Sequence, residues 1–144
     1  MKLNIKHSLF GAALMAVGVS AQAETITLKV EHFLGPQTIQ HTTMLGEWCK
    51  NIERDSKGRL NCQIYHSMQL GGKPPQLFDQ VKDGIADVGW TVAGYSGTGF
   101  ARLQVFELPF MMTNAEATSR ALWTYAEKYA TEEFKDVKML AVHV

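Results

Sequence analysis

Residues 58–90, GRLNCQIYHSMQLGGKPPQLFDQVKDGIADVGW, read as strand, loop, helix and strand. Leu60, Cys62 and Ile64 alternate with Asn61, Gln63 and Tyr65, the period-two pattern of a strand with one apolar face. Pro74 sits near a helix start, Leu77, Phe78 and Val81 mark its apolar side, and Gly84 ends it. Ile85 to Trp90 is short and mostly apolar, which makes it a second strand of the unit. Strands joined by a helix pair in parallel, and parallel pairing gathers the loops that follow the strands on one edge of the sheet. Ligands of open α/β sheets lie along that edge, so the segment predicts a binding cleft ahead of a catalytic centre.

The flanks extend the same pattern. Upstream, Thr25 to His32 (TITLKVEH) alternates as a first strand and Gly35-Pro36 breaks it. Leu45, Trp48, Cys49 and Ile52 follow at the spacing of a helix with one apolar stripe, stopped by Gly58. Downstream, the glycine-rich TVAGYSGTGFARLQ leads into VFELPFMM (Val105–Met112). Thr113 and Glu116 form a capping-box pattern for a third helix, with Leu122, Tyr125, Ala126 and Tyr129 along one face. Thr131 to Asp136 again reads as helical, and KMLAVHV (Lys138–Val144) reads as a last strand covered on both faces. No internal repeat interrupts this order. The fold class is α/β with a parallel sheet.

The N-terminus carries Lys2 and Lys6, an apolar run from Leu9 to Val19, and Ala21-Gln22-Ala23. That is the layout of a cleaved secretory signal peptide over residues 1–23, and its apolar core is far shorter than the roughly 20 residues that span a bilayer. No cysteine follows Ala23 to take a lipid, and no later segment is apolar enough to cross a membrane. The expected product is a soluble periplasmic domain over residues 24–144. Without Lys2 and Lys6, the 14 basic residues of the chain become 12 against 14 acidic ones. With no basic cluster, nucleic acid and anionic membrane surfaces are excluded as partners. The chain stops inside the last expected strand, so it reads as an incomplete piece of a longer protein.

Three post-strand loops are available to a ligand: His32 to Pro36, His66 to Gly72 and Trp90 to Tyr95. They offer His32, Phe33, Met68, Gln69, Trp90, Thr91, Val92 and Tyr95, an aromatic and neutral polar set suited to a small molecule. None contains Lys or Arg. A buried anion would need a cation from elsewhere, and Arg102 and Lys73 read as solvated flanks. For Trp90 and Tyr95 the competing reading is core packing. Gly71 and Gly72 answer to turn geometry, since no phosphate-loop pattern accompanies them.

Cys49 and Cys62 both point to the contact between the first helix and second strand, which in an oxidising compartment favours a disulfide over two free thiols. His32, His41, His66 and His143 have no metal-ligand spacing, so no metal and no cofactor is expected. No nucleophile elbow or close carboxylate pair is present, and a secreted enzyme built on His66 or Ser96 is the weakest alternative.

Trp48, Ser56 with Gly58-Arg59, the run Met68-Gln69-Leu70-Gly71-Gly72, Asp83-Gly84 with Ala86-Asp87, and Glu107-Leu108-Pro109-Phe110 resemble the extracytoplasmic solute-binding subunits of TRAP transporters, the DctP type. The motifs occur in family order over Leu28 to Val144. The resemblance implies two α/β lobes closing over an organic acid, with this chain as the first lobe and a membrane permease as partner. It also implies an arginine clamp from the second lobe, and ligand residues around His32 to Leu34 and at Trp90, Thr91 and Val92. His66 and Ala101 stand where the family often has proline. Val92 stands where sialic-acid binders carry an acid, which argues against that ligand. A related reading has the same lobe feeding a membrane receptor instead of a permease.

Overall fold

Three segments pair in parallel: β1 (Ile26–His32), β2 (Leu60–Tyr65) and β3 (Val88–Trp90), in the spatial order β2-β1-β3. This computed structural model describes residues 24–112 and 114–144, so the expected signal peptide over 1–23 lies outside the described residues. Leu28 stands opposite Cys62, and Val30 stands between Ile64 and Val88. The central strand is thus sheltered by neighbours on both edges near its end, where Val30, Glu31 and His32 are all fully buried.

Each helix is fixed by local chemistry. Helix α1 (Gly46–Asp55) is entered through a π-helical turn, Gln40–Leu45, and ends near Ser56, whose hydroxyl accepts the Leu60 N–H at 2.9 Å. Cys49 on α1 is joined to Cys62 on β2, with their Cα atoms 5.6 Å apart. A loop of that size contributes about 3 kcal/mol in the chain-entropy account of cross-links. Helix α2 (Leu77–Lys82) follows a 3₁₀ turn begun by Pro74, and Leu77 and Gln80 are its buried residues. It docks on β3 at Gly89, where an added Cβ would come within 2.8 Å of Val81 Cγ2. Helix α3 (Ala115–Tyr129) is capped by Asn114, whose side-chain oxygen accepts the Ala117 N–H at 2.8 Å. Its Leu122 and Ala126 pack with Phe100, Leu103 and Ala130 in a hydrophobic cluster.

Several expected boundaries moved. Strand β3 is three residues long rather than six. Its first part is diverted because Ile85 and Ala86 both donate their N–H to the Gln80 carbonyl at the end of α2. Residues 138–144 form no strand: the short β3 offers a fourth strand almost no ladder to join, and the segment is held by side chains instead. The Val144 N–H donates to Ser119 Oγ at 3.1 Å. Residues 93–107 fold into short 3₁₀ turns, and the helical segment from Thr131 is a 3₁₀ turn ending at Phe134. Thr113 of the expected capping box lies outside the described residues, and Asn114 takes the capping position.

Candidate ligand-binding edge

The loops after β1 and β3 meet through a row of aromatic rings. Phe33 stacks on Trp90 with centroids 5.5 Å apart and planes 27° apart, and Tyr95 approaches Phe33 at 5.2 Å. At the indole N–H edge of Trp90 lies the His143 ring, with centroids 5.9 Å apart and planes only 18° from parallel. Trp90 Nε1–H donates to His143 Nε2 at 3.0 Å, so a neutral His143 carries its proton on Nδ1. Thr91, next to Trp90, has a buried hydroxyl with no hydrogen-bond partner among the described residues. The row therefore combines flat apolar faces with an unused hydrogen-bonding group.

Behind Phe33 the backbone is tied down from two sides. Ser67 N–H donates to the Leu34 carbonyl at 3.0 Å and Met68 N–H to the His32 carbonyl at 3.2 Å. To make these bonds Ser67 and Met68 adopt φ of 52° and 58°, a left-handed geometry that costs a non-glycine residue energy and recurs where loops are held for a purpose. Gly71 and Gly72, at φ of 102° and 76°, complete the turn without that cost. Leu70 N–H donates to Glu31 Oε1 at 2.8 Å, and burial pushes the Glu31 carboxyl above its usual range, with that bond opposing.

His32 stands behind the wall. It is fully buried, accepts the Leu34 N–H on Nδ1 at 3.2 Å, and its Nε2 lies 2.9 Å from His41 Nδ1. Burial, then the positive fields of His41 and His66, lower its pKa from 6.5 to about 4. The ring is neutral at physiological pH.

Of the residues singled out in the sequence, Phe33, Trp90 and Tyr95 meet directly, Thr91 adjoins them, and Val92 begins the next turn. Gln69 is exposed and joins the turn through its backbone N–H to the His66 carbonyl at 3.1 Å. Arg102 faces away from the rings: its guanidinium donates to the Tyr129 carbonyl at 2.6 Å. Lys73 is exposed, and no group of three or more His, Cys, Asp or Glu among the described residues could hold a metal. Sequence reasoning passed over His143 as a site residue. The one signal for it was a polar ring in an otherwise apolar run.

Residues 30–143 match the family described as bacterial extracellular solute-binding protein, family 7, DctP. A TRAP solute-binding protein from Rhodoferax ferrireducens T118, solved with copurified benzoate, is 50% identical with a TM-score of 0.79, over 83% of this chain and 37% of that one. A marine-metagenome TRAP protein specific for aromatic acid ligands, solved with 3-hydroxybenzoate, is 44% identical with a TM-score of 0.80, over 83% of this chain and 38% of that one. The outer membrane transporter protein TsaT of Comamonas testosteroni is 29% identical over 99% of this chain. The chain spans 42% of that relative's length. With 114 consecutive positions matched, the chain belongs to family 7 of the bacterial extracellular solute-binding proteins, the DctP family.

Proposed function

We propose that this chain is the N-terminal lobe of a periplasmic TRAP-type solute-binding protein, and that its ligand is a small organic acid carrying an aromatic ring. The observation that carries the reading is the row Tyr95, Phe33, Trp90 and His143 at the post-strand edge, whose three loops contain no Lys or Arg. Stacked rings offer a benzoate-like plane offset or edge-to-face contacts worth about 1 kcal/mol each beyond area burial. The Thr91 hydroxyl, unpartnered among the described residues, is available to the ligand's polar end. The benzoate and 3-hydroxybenzoate held by the similar TRAP proteins support the same ligand class.

The carboxylate would be met by a positive group from a second lobe, supplied by sequence beyond this chain, and closure of the two lobes would trap the acid for a membrane permease. Binding energy that depends on both lobes favours the closed form by differential contact, with no covalent chemistry required. The export signal over residues 1–23 directs the protein to the periplasm, and no helix among the described residues is long and apolar enough to cross a membrane.

Calorimetric titration with benzoate, mandelate and aliphatic acids of matched charge tests this, using the chain and a product whose reading frame continues past Val144. The longer protein should prefer the aromatic acids and bind them at least about tenfold tighter than the chain does, a gap of about 1.4 kcal/mol. Equal, strong binding by both would refute the two-lobe account, and a preference for aliphatic acids would refute the aromatic one.

A further inference from the structure

Three histidines lie directly behind the aromatic row, and their hydrogen bonds can run in one direction only. Leu34 N–H donates to His32 Nδ1 at 3.2 Å, so that nitrogen is an acceptor. A neutral imidazole has one N–H, so the proton of His32 is on Nε2, which then donates to His41 Nδ1 at 2.9 Å. His41 Nδ1 is therefore an acceptor too. Its ring also meets His66, with centroids 5.7 Å apart and planes at 80°, and His66 Nδ1 lies 3.1 Å from Ser67 Oγ. Ser67 is also the residue whose N–H holds the Leu34 carbonyl.

A proton added at His41 Nδ1 faces the His32 Nε2–H. Either the bond breaks, or His32 moves its own proton to Nδ1 and confronts the Leu34 N–H. The first leaves His32 without its anchor on His41 and the second removes the Leu34 N–H bond, so in both the segment that carries Phe33 rests more on the Ser67 and Met68 backbone bonds. The charged and titratable groups bearing on the chain are its own members: His41 from the π-helical turn and His66 from the loop after β2 act on His32. Glu31 alternates to the opposite face of β1, where Leu70 N–H holds it. Among the described residues no carboxylate lies within ion-pair distance of the three rings, so an imidazolium here would be uncompensated.

We propose that His41 positions the aromatic wall through His32 and releases it on taking up a proton, so that the ligand is held less firmly as the surroundings acidify. This rests on the aromatic-acid reading above for its ligand, and on the ligand-free geometry for its relay. His41 is a positioning residue and need not touch the acid.

Nuclear magnetic resonance of the chain labelled with ¹⁵N tests the two parts separately, at about pH 8 and about pH 5, on either side of the histidine range. Histidine nitrogen shifts report the tautomers, the Phe33 to Trp90 ring contact reports the wall, and benzoate raised to millimolar reports binding at the Trp90 indole. The relay requires the His32 proton on Nε2 at the higher pH, loss of the ring contact at the lower one, and a fall in benzoate affinity of at least about fivefold. His41→Asn, which keeps an acceptor near the Nδ1 position and takes no proton, should hold the contact at both pH values; His41→Leu should loosen it at both. Because both variants retain His32, any general acid weakening of the fold is common to all three proteins.

Finding the His32 proton on Nδ1 at the higher pH, or an acid response in His41→Asn equal to that of the unaltered chain, would overturn the proposal. If the wall responds to acid as described while benzoate perturbs nothing at either pH, in the chain or in the product whose reading frame continues past Val144, the relay is supported and the ligand assignment is overturned.

Discussion

Glu31 and His32 are consecutive, both fully buried, and respond to acid in opposite senses. His32 has a folded-state pKa of about 4 against its ordinary 6.5, so between those values the unfolded chain binds a proton that the folded one refuses. Its contribution is complete above 6.5 and is lost as pH falls toward about 4, amounting to at most about 3 kcal/mol. Glu31 is raised by burial, so its contribution is present at low pH and is lost as pH climbs through its folded value. The two residues therefore oppose each other over the acidic range, Glu31 restoring stability as pH falls while His32 withdraws it, so Glu31→Gln should make the urea midpoint fall more steeply between pH 6.5 and about 4. A midpoint slope unchanged in Glu31→Gln would show that Glu31 makes no such contribution. Neither residue's state could be read from the sequence. His32 was visible as a strand-end residue next to a loop, but alternation gives no warning that three successive side chains, Val30 to His32, are all enclosed. Enclosure comes from the β2-β1-β3 order, which covers both edges, and from the loops folded over the strand end, which are tertiary facts.

The contact between α2 and β3 turns on one missing side chain. Gly89 sits in the middle of β3 opposite Glu31, and a Cβ there would stand 2.8 Å from Val81 Cγ2 and 3.1 Å from Leu77 Cδ2. Leu77 is fully buried and cannot step aside cheaply. Gly89→Ala should destabilise the fold by about 1–3 kcal/mol, as overpacking does, even though alanine suits a strand better than glycine. The mutant should also disturb the rings, since Trp90 is the next residue; thermal melting together with the Trp90 indole resonance would show whether both effects occur. A mutant as stable as the original would mean that α2 rides loosely on the sheet. The elements themselves were largely legible: three strands, three helices and the parallel order followed from periodicity, Pro74 and Gly84. What periodicity could not supply was competition for backbone donors. Residues 85 and 86 have strand-like side chains, yet their N–H groups are taken by Gln80, and the apolar run from Lys138 finds no free ladder long enough to join. Cys49 and Cys62 were legible as a pair because one lies on a helix stripe and the other on a strand face that must meet.

A cavity of about 1050 Å³ runs from the end of β3 toward the Phe100 cluster, walled by Trp48, Phe78, Val88, Phe106 and Leu122 among others. Closed protein interiors tolerate few voids larger than a water molecule, so an apolar hollow of this size, which Trp90, Thr91 and His143 also line, asks for a ligand or further protein to fill it. Nearby, Leu108, Phe110, Met111 and Met112 are exposed, with Phe110 fully so at a left-handed φ of 67°. Exposed apolar surface on this scale marks a contact face or a liability to aggregation. The two features agree with a chain that spans 37% of the benzoate-bound neighbour and would meet the rest of its protein across these surfaces. The chain by itself should therefore bind a hydrophobic dye such as anilinonaphthalene sulfonate under conditions where its far-ultraviolet circular dichroism is fully developed. Replacing Leu108 and Phe110 together by Ser should cut dye binding at the rim yet leave the hollow's share. Extending the reading frame past Val144 should abolish most of both. A chain that binds no dye, melts in one sharp transition and sediments as a monomer would mean that the hollow closes unaided, and the need for a second lobe would then rest on the ligand's charge alone.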